Sequence, residues 1–485
     1  MGIFVKLKKK YDSLPIEVKA VIWYTACNMA QKAIGVLVVP ILTRLFTTSE
    51  YGVYSVFISW LEIFEIIVTL RLSAGAYIVG LVKFEDDKYK YTASLESLTL
   101  VITTFFLGIY WIFRDFVNSV TDLDTSLSLL LFGLLYITPI INFWKAWERV
   151  ANQYIPMVMA TLATTFFAPF FGIVLILAAN GSVNQVIGAR VFVEFMVALI
   201  ITIRFYQLFL CKPKAVYWIY ALKTNVPLIP YYLSTTVLNH SDRILIQQII
   251  GKSEAGIYSV AYSVAMIMQL FSSAFNSSLQ PWLYKCLKTN KTEEVANTIN
   301  LATFFVAAVN LAVIYLAPEI VRFFAPKEYY EAIWVIPPIT ASVLVMYIYQ
   351  QYINIEFYYE EGKLTAIASI GAAVLNIILN VIFIPVFGYF AAGYTTLISY
   401  LVFAIVHYVF MIKVCKKNNQ REDLLDIKAQ VLVFLVFVFV SIIAMLTYYL
   451  MVIRYVILLF SLLIVIRKKE IIFQNIKLIM DKKKR

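Results

Sequence analysis

Ser49-Glu50-Tyr51-Gly52-Val53-Tyr54-Ser55 returns 204 residues later as Ser253-Glu254-Ala255-Gly256-Ile257-Tyr258-Ser259. Val56 and Val260 extend the match, and Leu45-Phe46 and Ile249-Ile250 precede it at the same spacing. Each copy stands in a short polar break between two long apolar stretches. A repeat on this scale, in sequence of this kind, predicts a doubled membrane bundle, the architecture of many transporters.

Composition places the chain in the membrane. Of 485 residues, 61% are hydrophobic and 14% charged, with a mean hydropathy of +0.80. Soluble domains carry about 25% charged residues. Met1–Lys19 is polar and basic and the first apolar span, 18–42, is too long for a secretory h-region, so no cleaved leader is expected. The four cysteines, Cys27, Cys211, Cys286 and Cys415, form no spacing motif, and two histidines are too few for a His-rich metal site. No cofactor or metal is expected. The net charge of +12 alternates from loop to loop, which speaks against nucleic acid as a partner.

A helix needs about 20 apolar residues to cross a bilayer. Spans are expected near 18–42, 52–80, 92–113, 126–146, 155–179, 184–208, 217–250, 255–282, 295–317, 330–354, 364–386, 389–413, 429–450 and 453–466. The seventh is expected to be irregular at its centre. The fold expected is therefore all-α, with about 14 transmembrane helices: six-helix bundles at 1–216 and 217–414, and an added pair with a basic tail at 415–485. Lys6, Lys8, Lys9, Lys10, Lys83, Lys88, Lys90, Lys212, Lys214, Lys285, Lys288, Lys416, Lys417 and the closing Lys482-Lys483-Lys484-Arg485 fall on one set of loops. The alternate set carries only Arg44, Arg114, Lys252, Arg322, Lys327 and Arg454. That bias places both termini in the cytoplasm. The loops are too short to hide a catalytic or nucleotide-binding domain, and no phosphate-binding glycine loop, GxSxG or HExxH is present. An enzyme is not expected. Gly52 and Gly256 read as turn residues, and Tyr54 and Tyr258 as interfacial aromatics.

Three segments carry a family resemblance. Arg44-Leu45-Phe46 through Tyr51-Gly52-Val53-Tyr54-Ser55 is the first. Pro227-x-x-Pro230, followed by Asp242-Arg243-Ile244-Leu245-Ile246 and Gly256-Ile257-Tyr258-Ser259, is the second, and Phe387-Gly388-Tyr389 leading to Ala392-Gly393 the third. Together they resemble the polysaccharide transporter family, the Wzx-type O-antigen flippases, over about residues 15–415. The resemblance implies a V-shaped pair of six-helix bundles around a central cavity, in the bacterial inner membrane. It implies, as cargo, an undecaprenyl-pyrophosphate-linked oligosaccharide for O-antigen, capsule or another surface polysaccharide, moved by alternating access. A coupling ion, proton or sodium, and a polysaccharide polymerase and chain-length regulator are the partners that follow. Multidrug export within the same superfamily and, in another class, a membrane glycan polymerase or ligase are the competing readings; the short outer loops argue against the last.

Charges inside a membrane face a cavity or a partner. A pyrophosphate needs cations, and Lys32, Arg71, Lys223 and Arg243 are the candidates to hold it. Asn28, Gln31, Asn225, Tyr231, Tyr232, Asn376 and Asn380 lie on helices that line the cavity by the family pattern, as partners for sugars. Glu62, Glu65 and Asp242 are candidates for ion coupling, since like carboxylates share a proton readily. Each has a structural alternative. Arg190 and Glu194, at i and i+4, pair on one face. Glu62 and Glu65 neutralise Lys32. Arg71 snorkels to the surface. His240, Asp242 and Arg243 have a local role near the interface, and Glu356 lies at the inner end of the tenth span.

Overall fold

The fold is that of a computed structural model, which describes residues 11–459 apart from 12, 180, 209, 291, 422 and 458. All regular elements among the described residues are helical. Among the described residues eleven helices are long and apolar enough to cross a membrane, and twelve when the pair Lys327–Trp334 and Ile336–Tyr358, bent by 48°, counts as one span. The expected fourteen exceed this for two reasons. The segment 217–250 is broken and polar, and the last expected span runs into 460–485, outside the described residues, as does the basic tail.

Two units pack separately, Met1–Gln248 and Ile249–Arg485. In the first, α1 (Ile16–Leu45), α2 (Thr48–Thr69), α3 (Ala76–Lys83), α4 (Lys88–Ile112), α5 (Arg114–Thr121), α6 (Thr125–Val150), α7 (Tyr154–Ala179) and α8 (Val183–Arg204) are followed by α9 (Ala215–Asn225) and α10 (Ile229–Ile249). The packing division falls at 248/249, later than the expected boundary at 216/217, because hydrogen bonds strap α9 and α10 onto the first unit. Trp218 Nε1 donates to the Ser94 carbonyl at 2.7 Å, and Gln247 Nε2 donates to Asp122 Oδ2 at 2.8 Å. The interruption in 217–250 is the 3₁₀ turn Val226–Leu228, where Pro227 lacks a donor, while the stretch 240–242, where the irregularity is expected, is unbroken helix within α10.

The repeated heptad opens helices. Thr47 caps α2: Glu50 N donates to Thr47 Oγ1 at 3.2 Å, and Thr47 N donates to Glu50 Oε2 at 2.9 Å, a reciprocal capping box. In the second unit α11 (Lys252–Thr289) starts after Gly251, and the Glu254 carboxylate folds back over that glycine, 2.9 Å from where a Cβ would sit. Gly52 and Gly256 are therefore not turn residues. They lie buried within α2 and α11. Tyr258 is fully buried too, not interfacial.

The second unit continues with α12 (Val295–Tyr315), α13 (Ala317–Phe324), α14 (Ile336–Tyr358), α15 (Gly362–Phe387), α16 (Phe390–Lys417) and α17 (Ile427–Leu446). α14 is buried on every side, so its residues show no apolar stripe. Outward-facing positions elsewhere are apolar: Phe166, Phe170, Ile200, Leu432 and Phe439 are all exposed. A surface of this kind is stable against lipid, where each helix satisfies its own backbone. Polar groups pair internally. Gln351 and Asn354 each donate to Asn276 Oδ1 at 2.9 Å, and Tyr352 OH donates to Gln430 at 2.6 Å. Arg454, expected as an outer-loop charge, is buried against Glu319.

Candidate functional site

The span expected at 52–80 does not run through. α2 ends at Thr69, Leu70 and Arg71 both adopt positive φ (50° and 47°), and the chain turns at Gly75 before α3 begins. Such backbone costs about 1 kcal/mol or more per non-glycine residue and persists only where neighbours hold it. The holder is Asn225. Fully buried at the end of α9, its Nδ2 donates to the carbonyls of Leu70 and Arg71 at 3.2 and 3.0 Å. Those carbonyls are orphaned by the break, and a side-chain amide replaces the missing helical donors. An aromatic layer supports it from below: Tyr77 meets Phe143 edge-on at 4.8 Å and stacks on Tyr91 at 5.8 Å.

Arg71 does not snorkel away. Its guanidinium lies 5.1 Å from the centre of the Tyr232 ring on α10, a cation–π contact at the break. Three residues from the sequence reading, Arg71, Asn225 and Tyr232, are thus brought together.

Below the break α2 carries Glu65, which accepts from Asn142 Nδ2 of α6 at 3.3 Å. The charges of Glu62, Arg71, Arg190 and Glu194 all act on it. Lys32, expected to neutralise Glu62 and Glu65, is not among these charges and is exposed on α1. Glu62 itself is exposed.

Arg190 and Glu194 do pair: Arg190 Nε donates to Glu194 Oε1 at 2.8 Å. Thr138 Oγ1 donates to the second carboxylate oxygen at 2.8 Å, so both oxygens are engaged. Yet the pair also lines a cavity of about 280 Å³ between α1, α2, α7 and α8. Gln31, Tyr54, Thr164 and Thr165 share that lining. Glu194 is only 7% exposed, whereas a third of the Arg190 side chain is open. Among the described residues no protein acceptor takes the two terminal nitrogens of Arg190. The site is a guanidinium fork in a hydroxyl-lined cavity enclosed by apolar helices.

The other expected residues divide. Asn28 and Lys32 are exposed on α1 and outside the cavity lining, as is Lys223 in the last turn of α9. Asp242 and Arg243 are buried on α10, where Arg243 Nη1 and Ser59 Oγ of α2 both lie 3.3 Å from His240 Nδ1. Tyr231 stands beside Tyr232, half-buried. Asn376 and Asn380 do not line a cavity. Both are fully buried between α15 and α16, where Asn380 Nδ2 donates to Asn376 Oδ1, Asn376 Nδ2 to Thr396 Oγ1, and Thr395 to Asn380. Amides among apolar helices pair across the interface. Sequence reading missed Tyr54 as a cavity wall and Thr138 and Asn142 as partners. The last two, at i and i+4 beside Pro139, are a polar face that spacing could have flagged.

The fold and sequence have known counterparts. The lipid II flippase MurJ, in an inward closed conformation, superposes with a TM-score of 0.67 at 15% identity, covering 93% of this chain and all of that one. An inward-facing multidrug-resistance transporter of the MATE family, in the MOP superfamily, gives 0.63 at 13% identity, covering 82% and 99%. A MOP-superfamily transporter from Pyrococcus furiosus gives 0.56 at 15%, covering 84% and 97%. The Lsg locus protein 1 of Haemophilus influenzae is 21% identical, covering 73% of this chain and 88% of that protein. The sequence pattern described as polysaccharide biosynthesis protein matches residues 18–287, more than half of the chain. The chain belongs to the polysaccharide biosynthesis protein family.

Proposed function

We propose that the protein is a flippase of the bacterial cytoplasmic membrane, with both termini inside. It moves undecaprenyl-pyrophosphate-linked oligosaccharide units to the outer leaflet for a surface polysaccharide, and its two halves are the repeats of an alternating-access machine. The carrying observation is the open guanidinium fork of Arg190 in the cavity of the first half. A diphosphate offers acceptors in the geometry such a fork matches, and low dielectric strengthens the contact. Thr164, Thr165, Gln31 and Tyr54 offer hydroxyl, amide and aromatic partners to sugars. Arg71, held by Tyr232 at the helix break, is a second phosphate contact, and Lys32, Lys223 and Arg243 supply further positive charge along the path. Family membership and the fold shared with a lipid II flippase support the same cargo class. Glu62, Glu65, Asp242 and Glu194 would suit a cationic drug, but Glu194 is already engaged by Arg190 and Thr138.

The lipid pool tests this reading. A strain lacking the protein accumulates undecaprenyl-linked single repeat units on the cytoplasmic leaflet, and the wild-type gene clears them. An unchanged lipid pool together with heightened sensitivity to cationic dyes would establish drug export instead.

A further inference from the structure

We propose that Glu356 and His407 form a proton-binding site inside the second half, and that the coupling ion is a proton rather than sodium. The assignment of a role in transport rests on the flippase reading above; the site itself does not.

Glu356 on α14 and His407 on α16 are both fully buried, 51 residues apart in sequence. His407 Nδ1 lies 2.8 Å from Glu356 Oε1, and Thr365 Oγ1 on α15 donates to Glu356 Oε2 at 3.2 Å. The ring is walled by Phe403, edge-on at 4.4 Å, and by Tyr349 stacked at 6.1 Å. Among the described residues His407 Nε2, also buried, has no hydrogen-bond partner.

One proton shared by the pair gives a neutral unit, either imidazolium with carboxylate or imidazole with carboxylic acid. Removing that proton leaves a net negative charge among aromatic rings, which apolar surroundings penalise heavily. The proton therefore leaves only when water reaches the pair to receive it and to solvate the carboxylate. Nε2 is the free position at which it is exchanged. Coupling needs this property, since the occupied site is stable closed and the empty one demands opening.

Sodium fits poorly. A hard cation wants several oxygen ligands. Among the described residues the oxygens hydrogen-bonded at the pair are the carboxylate and Thr365 Oγ1, and the imidazole already fills the place beside the carboxylate at hydrogen-bond distance. The other titratable and charged groups on α14 and α16 are Tyr347, Tyr349, Tyr352, Tyr358, Tyr394, Tyr400, Tyr408, Lys413, Cys415, Lys416 and Lys417, the last paired with Glu361 at the helix ends. The groups turned toward α14 from its neighbours include Asn276 and Tyr284 on α11 and Gln430 on α17.

Because the chain has only two histidines, ring-labelled histidine in the full-length protein reads His407 directly, with His240→Asn assigning the signals. The His407 ¹⁵N signal is expected to change reversibly as the pH is scanned from about 5 to 8, the range in which histidine side chains change charge. In Glu356→Gln that response is lost, since a buried imidazolium without its carboxylate does not form. His407→Gln abolishes the proton flux that an internal pH dye reports in vesicles under an imposed gradient. A wild-type signal constant over that range, or an unaltered response in Glu356→Gln, overturns the site. A signal that follows added sodium at fixed pH overturns the choice of ion. If His407 responds while vesicles move no lipid-linked glycan, the flippase reading fails and the proton site stands.

Discussion

Arg190→Ala separates the structural and cargo roles of one ion pair. Removing the guanidinium leaves Glu194, 7% exposed, with only the Thr138 hydroxyl. Stripping one partner from a buried pair costs about 3–5 kcal/mol. Arg190 is a third exposed, so screening lowers the expectation to about 2–3 kcal/mol. That loss alone would silence transport through poor folding. The double variant Arg190→Met/Glu194→Met removes the orphaned carboxylate along with the cation, and replacing both charges by apolar groups is often neutral. Its melting temperature in detergent is expected to return close to wild type. Cargo binding is not expected to return. Two charge-assisted bonds from the terminal nitrogens to phosphate are each worth about 1.5 kcal/mol or more, so affinity falls by well over tenfold. The assay is surface polysaccharide in a complemented deletion strain, normalised to protein in the membrane. A double variant that melts like wild type and exports normally would falsify the cargo role and leave the pair purely structural.

Two further expectations concern the architecture. Asn225→Ala deletes both donors to the Leu70 and Arg71 carbonyls, and at about 1 kcal/mol per bond it should lower stability by about 2 kcal/mol, read as a drop in melting temperature; an unchanged melt would mean the break is held elsewhere. Glu50→Ala should cost about 1 kcal/mol as a lost helix cap while transport per folded molecule stays normal; a transport defect in a well-folded Glu50→Ala would refute the capping role of the first heptad.

The parts legible in the sequence are those set by local physics. Apolar length and loop charge marked the spans. The i, i+4 spacing of Arg190 and Glu194 marked their pairing. The break at Leu70–Gly75 was hidden because its cause is remote: Asn225 supplies the hydrogen bonds from more than 150 residues away. Asn376 and Asn380 were assigned to a cavity because, in a helix apolar all round, spacing cannot tell a neighbour-facing amide from a cavity-facing one. The buried packing of α15 on α16 decides it. His407 was overlooked for a related reason. A single imidazole carries no motif, and its carboxylate partner lies on another helix.

The duplicated heptad gives each half a helix with a glutamate in its first turn and a buried glycine and serine just beyond. The polar groups beyond it diverge. In the first half Arg190 reaches a cavity and the helix after the heptad breaks at Arg71. In the second, α11 runs unbroken for 38 residues and the polar side chains are buried in pairs and ladders. A paired interior is suited to one proton, and the cavity of about 220 Å³ beside it is lined mostly by apolar side chains, whereas a cavity with an unsatisfied fork suits an anion. Under the proposals above, duplication therefore supplied two copies of a scaffold, and the two tasks of coupled transport were divided between them. An ion shifts a conformational equilibrium only by its difference in affinity for the two states. The half that binds the proton must then have a state that wets Glu356–His407 and a state that does not. That is why loss of either member of the pair is expected to uncouple transport from the proton gradient without emptying the cargo cavity of the first half.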